Sequence, residues 1–263
     1  MSTLSVAAIQ YGITWLDKDR NLDQLSTLIA EYFQQQPTAD LFLLPETFST
    51  GFCIDNKNIE ENENGDVLRW LVQQANRHQC TFAGSVLVSH GDKKVNRFYW
   101  VHKDGSVEHY DKRHLFRMGN EQKYVIQGEQ RKVITIKGVR ILPLVCYDLR
   151  FPVWSRNQQD YDVMINVANW PGARRTIWDT LLKARAMENQ CYVIGVNRVG
   201  DDGNGTGHSG GTAMYDYQGE TIISAQDNQV QIIHHTFDIE QLNQFKQKFP
   251  AYLDGDKFEL ITK

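Results

Sequence analysis

Short apolar runs of strand length recur along these 263 residues, separated by segments in which apolar residues return every three or four positions. Leu4 to Ile9 is such a run; Leu22, Leu25, Ile29, Tyr32 and Phe33 follow at helical spacing, and Pro37 ends the segment. Leu41 to Leu44 completes a β-α-β opening. Val67, Leu68, Leu71 and Ala75 predict a second helix, with a strand at Thr81 to Val88 behind it. A chain patterned this way must bury strands beneath helices, which restricts it to layered α/β folds.

The middle of the chain breaks a purely parallel scheme. Phe98 to Val101 and Val107 to Tyr110 flank Asp104-Gly105, a dipeptide that supplies the positive φ of a tight hairpin. Strands are predicted at Val139 to Val145, Val163 to Val167 and Tyr192 to Val196, with a helix at Ile177 to Asn189. Thr212 to Tyr215 and Glu220 to Ser224 form a second hairpin around Gln218-Gly219. Parallel and antiparallel strands with helices between them predict a layered α/β sandwich with mixed sheets. No Pro- or Ser-rich linker divides the chain, so residues 1–263 are read as one domain. Residues 241–263 form a C-terminal tail whose Leu242, Phe245, Phe249 and Tyr252 can cover the body or a partner subunit.

Composition narrows the function classes. With 41% hydrophobic and 23% charged residues the chain is an ordinary globular one. A net charge of -4 offers no basic field for nucleic acid or an anionic membrane surface, leaving small molecules as the expected partners. The N-terminus lacks a basic leader and no apolar stretch approaches the roughly 20 residues that span a bilayer, so a cytoplasmic location is expected. Cys53, Cys80, Cys146 and Cys191 are widely spaced, with no CxxC pair or Cys/His cluster. Neither a metal nor a disulfide framework is expected.

Three residues at strand ends stand out. Glu46 closes Leu41-Phe-Leu-Leu-Pro45, Lys112 follows the run ending near Tyr110, and Cys146 ends Ile141-Leu-Pro-Leu-Val145 where a turn begins. A carboxylate, an ammonium and a thiol are the parts needed to hydrolyse a carbon–nitrogen bond without a metal or cofactor. A free thiol is only a few per cent ionised at neutral pH and needs a base or a cation beside it. Glu46 and Lys112 supply these, and desolvation of a partly buried carboxylate eases proton exchange near neutrality.

The surrounding motifs carry a resemblance. Leu44-Pro-Glu46-Thr-Phe48, Tyr110-Asp-Lys112-Arg-His-Leu-Phe116 and Leu144-Val-Cys146-Tyr-Asp-Leu-Arg-Phe151 stand in order, followed by Ala168-Asn169-Trp170-Pro171, Ala184-Arg-Ala-Met-Glu-Asn-Gln190 and Gly207-His-Ser-Gly210. Together they resemble the nitrilase superfamily of carbon–nitrogen hydrolases over nearly the whole chain. Among its branches the chain is similar to bacterial ω-amidases acting on 2-oxoglutaramate and 2-oxosuccinamate. The resemblance implies a four-layer αββα sandwich, a homodimer through the cysteine-bearing side, and a pocket where Glu46, Lys112 and Cys146 converge. It also implies a second glutamate behind the lysine, placed on Glu121, with Glu129 as the nearby competitor.

On that reading Cys146 attacks an amide carbonyl to give a thioester, and Glu46 moves the protons. Lys112 and the Tyr147 main-chain N–H hold the oxyanion, and Glu121 keeps Lys112 charged and in place. Asn169 and Trp170 are expected to line the pocket. A 2-oxo acid needs a cation for its far carboxylate. Arg117, Arg174 and Arg175 are the candidates, and Arg117 joins Tyr147, Asn169 and Trp170 among the expected substrate contacts.

Other readings compete. Taken singly, Cys146 is an inert buried cysteine, Glu46 a cap and Lys112 a solvated hairpin end; a silent binding scaffold would carry all three this way. N-carbamoyl amino acid hydrolysis and nitrile hydrolysis use the same residues as the amidase. The glycine-rich stretch Gly200 to Gly211 lacks the Lys-Ser/Thr of a phosphate loop and reads as a loop. His208 and the pair His234-His235 read as satisfied or surface histidines, Arg185 with Glu188 as a surface ion pair, and Arg150 as a brace on Asp148.

Overall fold

The computed structural model describes residues 2–36, 38–56 and 59–261. In chain order the first half comprises β1 (Thr3–Gln10), α1 (Lys18–Gln35), β2 (Leu41–Leu43), α2 (Asp66–His78), β3 (Thr81–His90), β4 (Lys93–Val101) and β5 (Val107–Asp111). A short α3 (Glu121–Tyr124) leads to β6 (Ile134–Ile136), β7 (Val139–Val145), a single helical turn at Cys146–Arg150, α4 (Pro152–Ser155), β8 (Val163–Ala168) and α5 (Arg175–Asn189). The chain continues through β9 (Tyr192–Asn197), β10 (Val199–Asp201), β11 (Gly207–Ser209), β12 (Ala213–Tyr215), β13 (Thr221–Ser224), β14 (Gln231–Asp238) and α6 (Ile239–Lys248). The predicted helix stop at Pro37 lies outside the described residues; α1 closes at Gln35.

Two six-stranded sheets result, ordered β14-β1-β2-β3-β4-β5 and β13-β12-β9-β8-β7-β6. Each is parallel at its centre and antiparallel toward its edges. Strand β1 shows how they stack. Leu4, Val6 and Ala8 enter the core shared with the second sheet, whereas Ala7 and Ile9 face Leu25 and Ile29 of α1 and Leu71 of α2. The period of two thus buries both faces, one against a sheet and one against helices. On the far side Trp178, Leu182 and Ala186 of α5 cover the second sheet, completing an αββα sandwich. Among the described residues no helix is long and apolar enough to cross a membrane.

Most predicted elements are present within a few residues of their expected ends. Gly105 has φ +84° at the hairpin tip, as the Asp-Gly signal requires. Four strands went unread, β6, β10, β11 and β14, and β4 begins earlier than predicted. The β3–β4 pair is a long hairpin turning at Gly91, β6 is a short edge strand, and β14 pairs along its whole length with β1, placing His234 and His235 in a strand.

Arg185 differs from the expected surface ion pair. It is 4% exposed, and while Nη1 binds Glu188 Oε1 at 2.8 Å, Nη2 donates to the Leu149 carbonyl at 2.7 Å. The guanidinium therefore ties α5 to the turn that begins at Cys146. Arg185→Ala is expected to lower stability by about 2 to 3 kcal/mol, since a buried carbonyl loses a charged donor; urea unfolding measures it. The brace assigned to Arg150 also falls elsewhere. The buried Asp148 carboxylate is filled by Tyr110 Oη, the His114 main-chain N–H and ring Nδ1, and the Val145 N–H, at 2.8 to 3.0 Å. Arg150 is left to stack its guanidinium 5.3 Å from the Trp170 ring centre.

Candidate active site

The site forms where strand ends from both sheets meet. Leu44 N–H still bonds Ala83 of β3, but Pro45 interrupts the ladder and Glu46 enters a turn held by Thr47 N–H to Ser85 Oγ at 2.9 Å. Thr47 takes φ +43°, so the chain turns immediately after Glu46. Lys112 follows β5 directly and is clamped by its neighbours: its N–H bonds Asn96 O and its carbonyl accepts from Gly128 N–H. A Cβ on Gly128 would lie 2.0 Å from Asp111 O, so only glycine lets that segment close on the strand. Cys146 follows β7 at φ +46°, a left-handed conformation costly for a side-chain-bearing residue and common at reactive positions.

These elements bring the three residues to one cavity of about 450 Å³. Glu46 is fully buried and accepts three donors: Asn96 Nδ2 at 2.8 Å and Lys112 Nζ at 3.0 Å on Oε1, and Asn169 N–H at 2.8 Å on Oε2. Asn96 lies in β4 and Lys112 follows β5 of the first sheet, while Asn169 follows β8 of the second, so the carboxylate straddles the two. Asn169 Nδ2 also reaches Glu46 O at 2.6 Å and Thr47 Oγ1 at 2.9 Å. Lys112 Nζ lies 3.0 Å from both oxygens of Glu121 and 5.1 Å from the Phe52 ring centre. Glu121, at the start of α3, additionally accepts the Phe116 N–H at 2.6 Å.

The electrostatics follow from this packing. Burial works against the Lys112 charge, but Glu121, Glu46 and the Cys146 sulfur outweigh it, and its pKa is raised. Burial, with the Glu46 charge adding to it, pushes the Glu121 carboxyl upward against the pull of Lys112. The Cys146 thiol is raised well above its ordinary value, first by desolvation and then by the Glu46 charge, with Lys112 opposing. A resting thiolate is thus disfavoured. Chemistry at sulfur requires the proton to leave as the bond forms, and Glu46 is the acceptor at hand.

The remaining expected contacts divide. Tyr147, Asn169 and Trp170 all line the cavity. Tyr147 is the second residue of its helical turn, where an N–H has no partner within the turn. Arg117 is exposed and is not among the lining residues, because it sits on the outer side of the turn before α3. Arg175 is occupied by Asp179 and Asp227 at 2.8 and 2.7 Å. Arg150 and Arg174 line the cavity instead, each over an aromatic ring at 5.3 Å, Trp170 and Phe116 respectively. Neither guanidinium has a carboxylate partner among the described residues. The glycine-rich stretch is the β10–β11 hairpin, and it brings Asp202, Asn204, Thr206 and His208 to the cavity wall. His208 is buried with Nδ1 at 3.2 Å from Gly200 O, a satisfied histidine that also faces the site.

Sequence comparison completes the assignment. The family profile described as carbon–nitrogen hydrolase matches residues 5–247. The chain belongs to the carbon–nitrogen hydrolase family. This carbon–nitrogen hydrolase is 46% identical over 263 residues to omega-amidase YafV of Yersinia enterocolitica, covering 99% of this chain and 100% of that one. It is 29% identical over 259 residues to the 2-oxoglutaramate amidase of Bacillus subtilis, covering 95% and 96%. A solved CN-hydrolase superfamily protein from Xanthomonas campestris, which carries an arsenic adduct in its active site, superposes with a TM-score of 0.94 at 39% identity, covering 99% of this chain and 100% of that one. As a member of this family the carbon–nitrogen hydrolase is an enzyme rather than a silent scaffold.

Proposed function

We propose that this hydrolase is an ω-amidase, cleaving the terminal amide of short 2-oxo-dicarboxylic acid monoamides such as 2-oxoglutaramate and 2-oxosuccinamate to the dicarboxylate and ammonia. The observation that carries the reading is the charge arrangement of the cavity, where the thiol, carboxylate and ammonium share one space with two guanidiniums that have no carboxylate partner among the described residues. A monoamide with a carboxylate at its far end matches both features. The full-length identity to an omega-amidase supports the same substrate class.

In this reading Cys146 Sγ attacks the amide carbon while its proton passes to Glu46, and the carbonyl electron pair moves to oxygen. Lys112 and the Tyr147 N–H stabilise that oxyanion. Collapse breaks the C–N bond, nitrogen takes the proton from Glu46, and ammonia leaves a thioester on sulfur. Water then gives a proton to Glu46 and adds to the thioester; breakdown returns the proton to sulfur and frees the new carboxylate. Glu121 holds the lysine. Exposed Met187 and Phe249 suit a contact with a second copy of the chain, and four unpaired cysteines suit a reducing compartment such as the cytoplasm.

Ammonia release across a panel of amides tests the assignment. Turnover of 2-oxoglutaramate no better than of an N-carbamoyl amino acid or a nitrile would defeat it. Arg150→Met and Arg174→Met are each expected to raise KM for 2-oxoglutaramate roughly tenfold or more, the worth of a charge-assisted hydrogen bond. KM for an uncharged amide of equal length should not change.

A further inference from the structure

A carboxylate offers about four acceptor positions on its two oxygens. In Glu46 three are filled by fixed donors: Asn96 Nδ2 and Lys112 Nζ occupy Oε1, and the Asn169 N–H occupies one position on Oε2. Among the described residues, the position left open lies on Oε2. We infer that Oε2 alone takes and returns the catalytic proton, and that Asn96 is the positioning residue that reserves it for this task. The inference rests on the reading of Glu46 as the base.

Asn96 is unusual for a strand core. It is fully buried in β4, and its Oδ1 has no hydrogen-bond partner among the described residues. An apolar residue would avoid that penalty, so the fold alone does not favour asparagine here. The amide orientation is dictated by chemistry, because turning Oδ1 toward an ionised carboxylate would set acceptor against acceptor. The Asn96 main-chain carbonyl also accepts the Lys112 N–H at 2.9 Å. One residue therefore registers the base through its side chain and the lysine through its backbone.

The proton steps agree with this division. The S–H proton goes to Oε2 as sulfur bonds to carbon, and Oε2 gives it to nitrogen as the C–N bond breaks. In the second half a water proton reaches Oε2 and then returns to sulfur. Throughout, Oε1 keeps both donors and nothing has to rearrange. Proton transfer at Oε1 would require Asn96 or Lys112 to withdraw first.

The charged and titrating groups around Glu46 are Lys112 after β5, Glu121 of α3 behind it and Cys146 after β7. Asp55, Arg150, Arg174, Asp202 and His208 line the same cavity. Asn96 is neutral, so replacing it alters the carboxylate without removing a titrating group. The test compares pH–rate profiles of the wild type and Asn96→Leu on the amide the wild type turns over fastest. The variant is expected to lose kcat by on the order of tenfold or more, the worth of one donor to a charged group, with KM little changed. The acid limb of kcat/KM should move up by roughly one pH unit, because a donor favouring the ionised form is gone.

An unmoved limb with unaltered kcat, or an effect confined to KM, overturns the inference. If circular dichroism shows that Asn96→Leu does not fold, Asn96→Asp takes its place. A second carboxylate facing Oε1 should move the limb further up, and a wild-type profile in that variant overturns the inference equally. A wild type inactive on every amide overturns the underlying reading and this inference together. An active wild type whose profile ignores Asn96 overturns this inference alone.

Discussion

Cys146→Ala is expected to abolish amide turnover, lowering kcat by at least about ten-thousandfold, as loss of a covalent nucleophile does. The residual cavity, with Lys112 and the Tyr147 N–H intact, still binds substrate, so KM should be little changed. The fold should persist. The substitution removes one atom from a residue that is partly open to the cavity, and the turn's other anchors, Asp148 and Arg185, are untouched. Coupled ammonia detection with a thermal unfolding scan checks both halves of the expectation. Ordinary activity in a folded variant would remove Cys146 from the chemistry altogether.

Lys112→Met is the second large effect, and it falls on stability as well as rate. The ammonium sits between Glu46 and Glu121, all three essentially fully buried. Removing it leaves two buried carboxylates without a salt-bridge partner among the described residues, a loss of roughly 3 to 5 kcal/mol by the cost of breaking buried pairs. The oxyanion loses its cationic donor, worth roughly a further hundred- to thousand-fold in kcat. The pH dependence has a definite sign. The folded Lys112 pKa is raised, so its contribution is fully present at neutral pH, below the unfolded value, and fades only as pH climbs through the folded one. In the variant the two carboxylates gain by taking up protons, so its deficit against the wild type should shrink as pH falls. Denaturant unfolding at several pH values measures this; a constant gap would contradict it.

How far the chain could be read before its structure depended on the range of the interactions involved. Glu46 and Cys146 were legible because each follows a strong apolar run at a strand end, Lys112 because it follows a short β-run inside a family motif, and the resemblance pointed to Glu121 with Glu129 as its competitor. Strand β14 was not, since Gln231–Asp238 alternates weakly and its partner β1 lies more than two hundred residues away in sequence. The β10–β11 hairpin read as a loop because glycine is depleted in strands, although its short ladder is what brings His208 to the site. Arg150 was assigned to Asp148 on proximity in sequence. Only the coordinates show that Tyr110, His114 and Val145 have already filled that carboxylate. Asn96 carried no local mark at all, because its role comes from a register across three strands.

The Glu46 carboxylate takes donors from both halves of the sandwich, so it works only while the two sheets keep their relative alignment. Warming that loosens the packing between them is expected to disturb the carboxylate's donor set before either sheet melts. Engineering for durability should therefore start with the side chains between the layers, and the outcome expected of tighter packing there is activity retained to higher temperature.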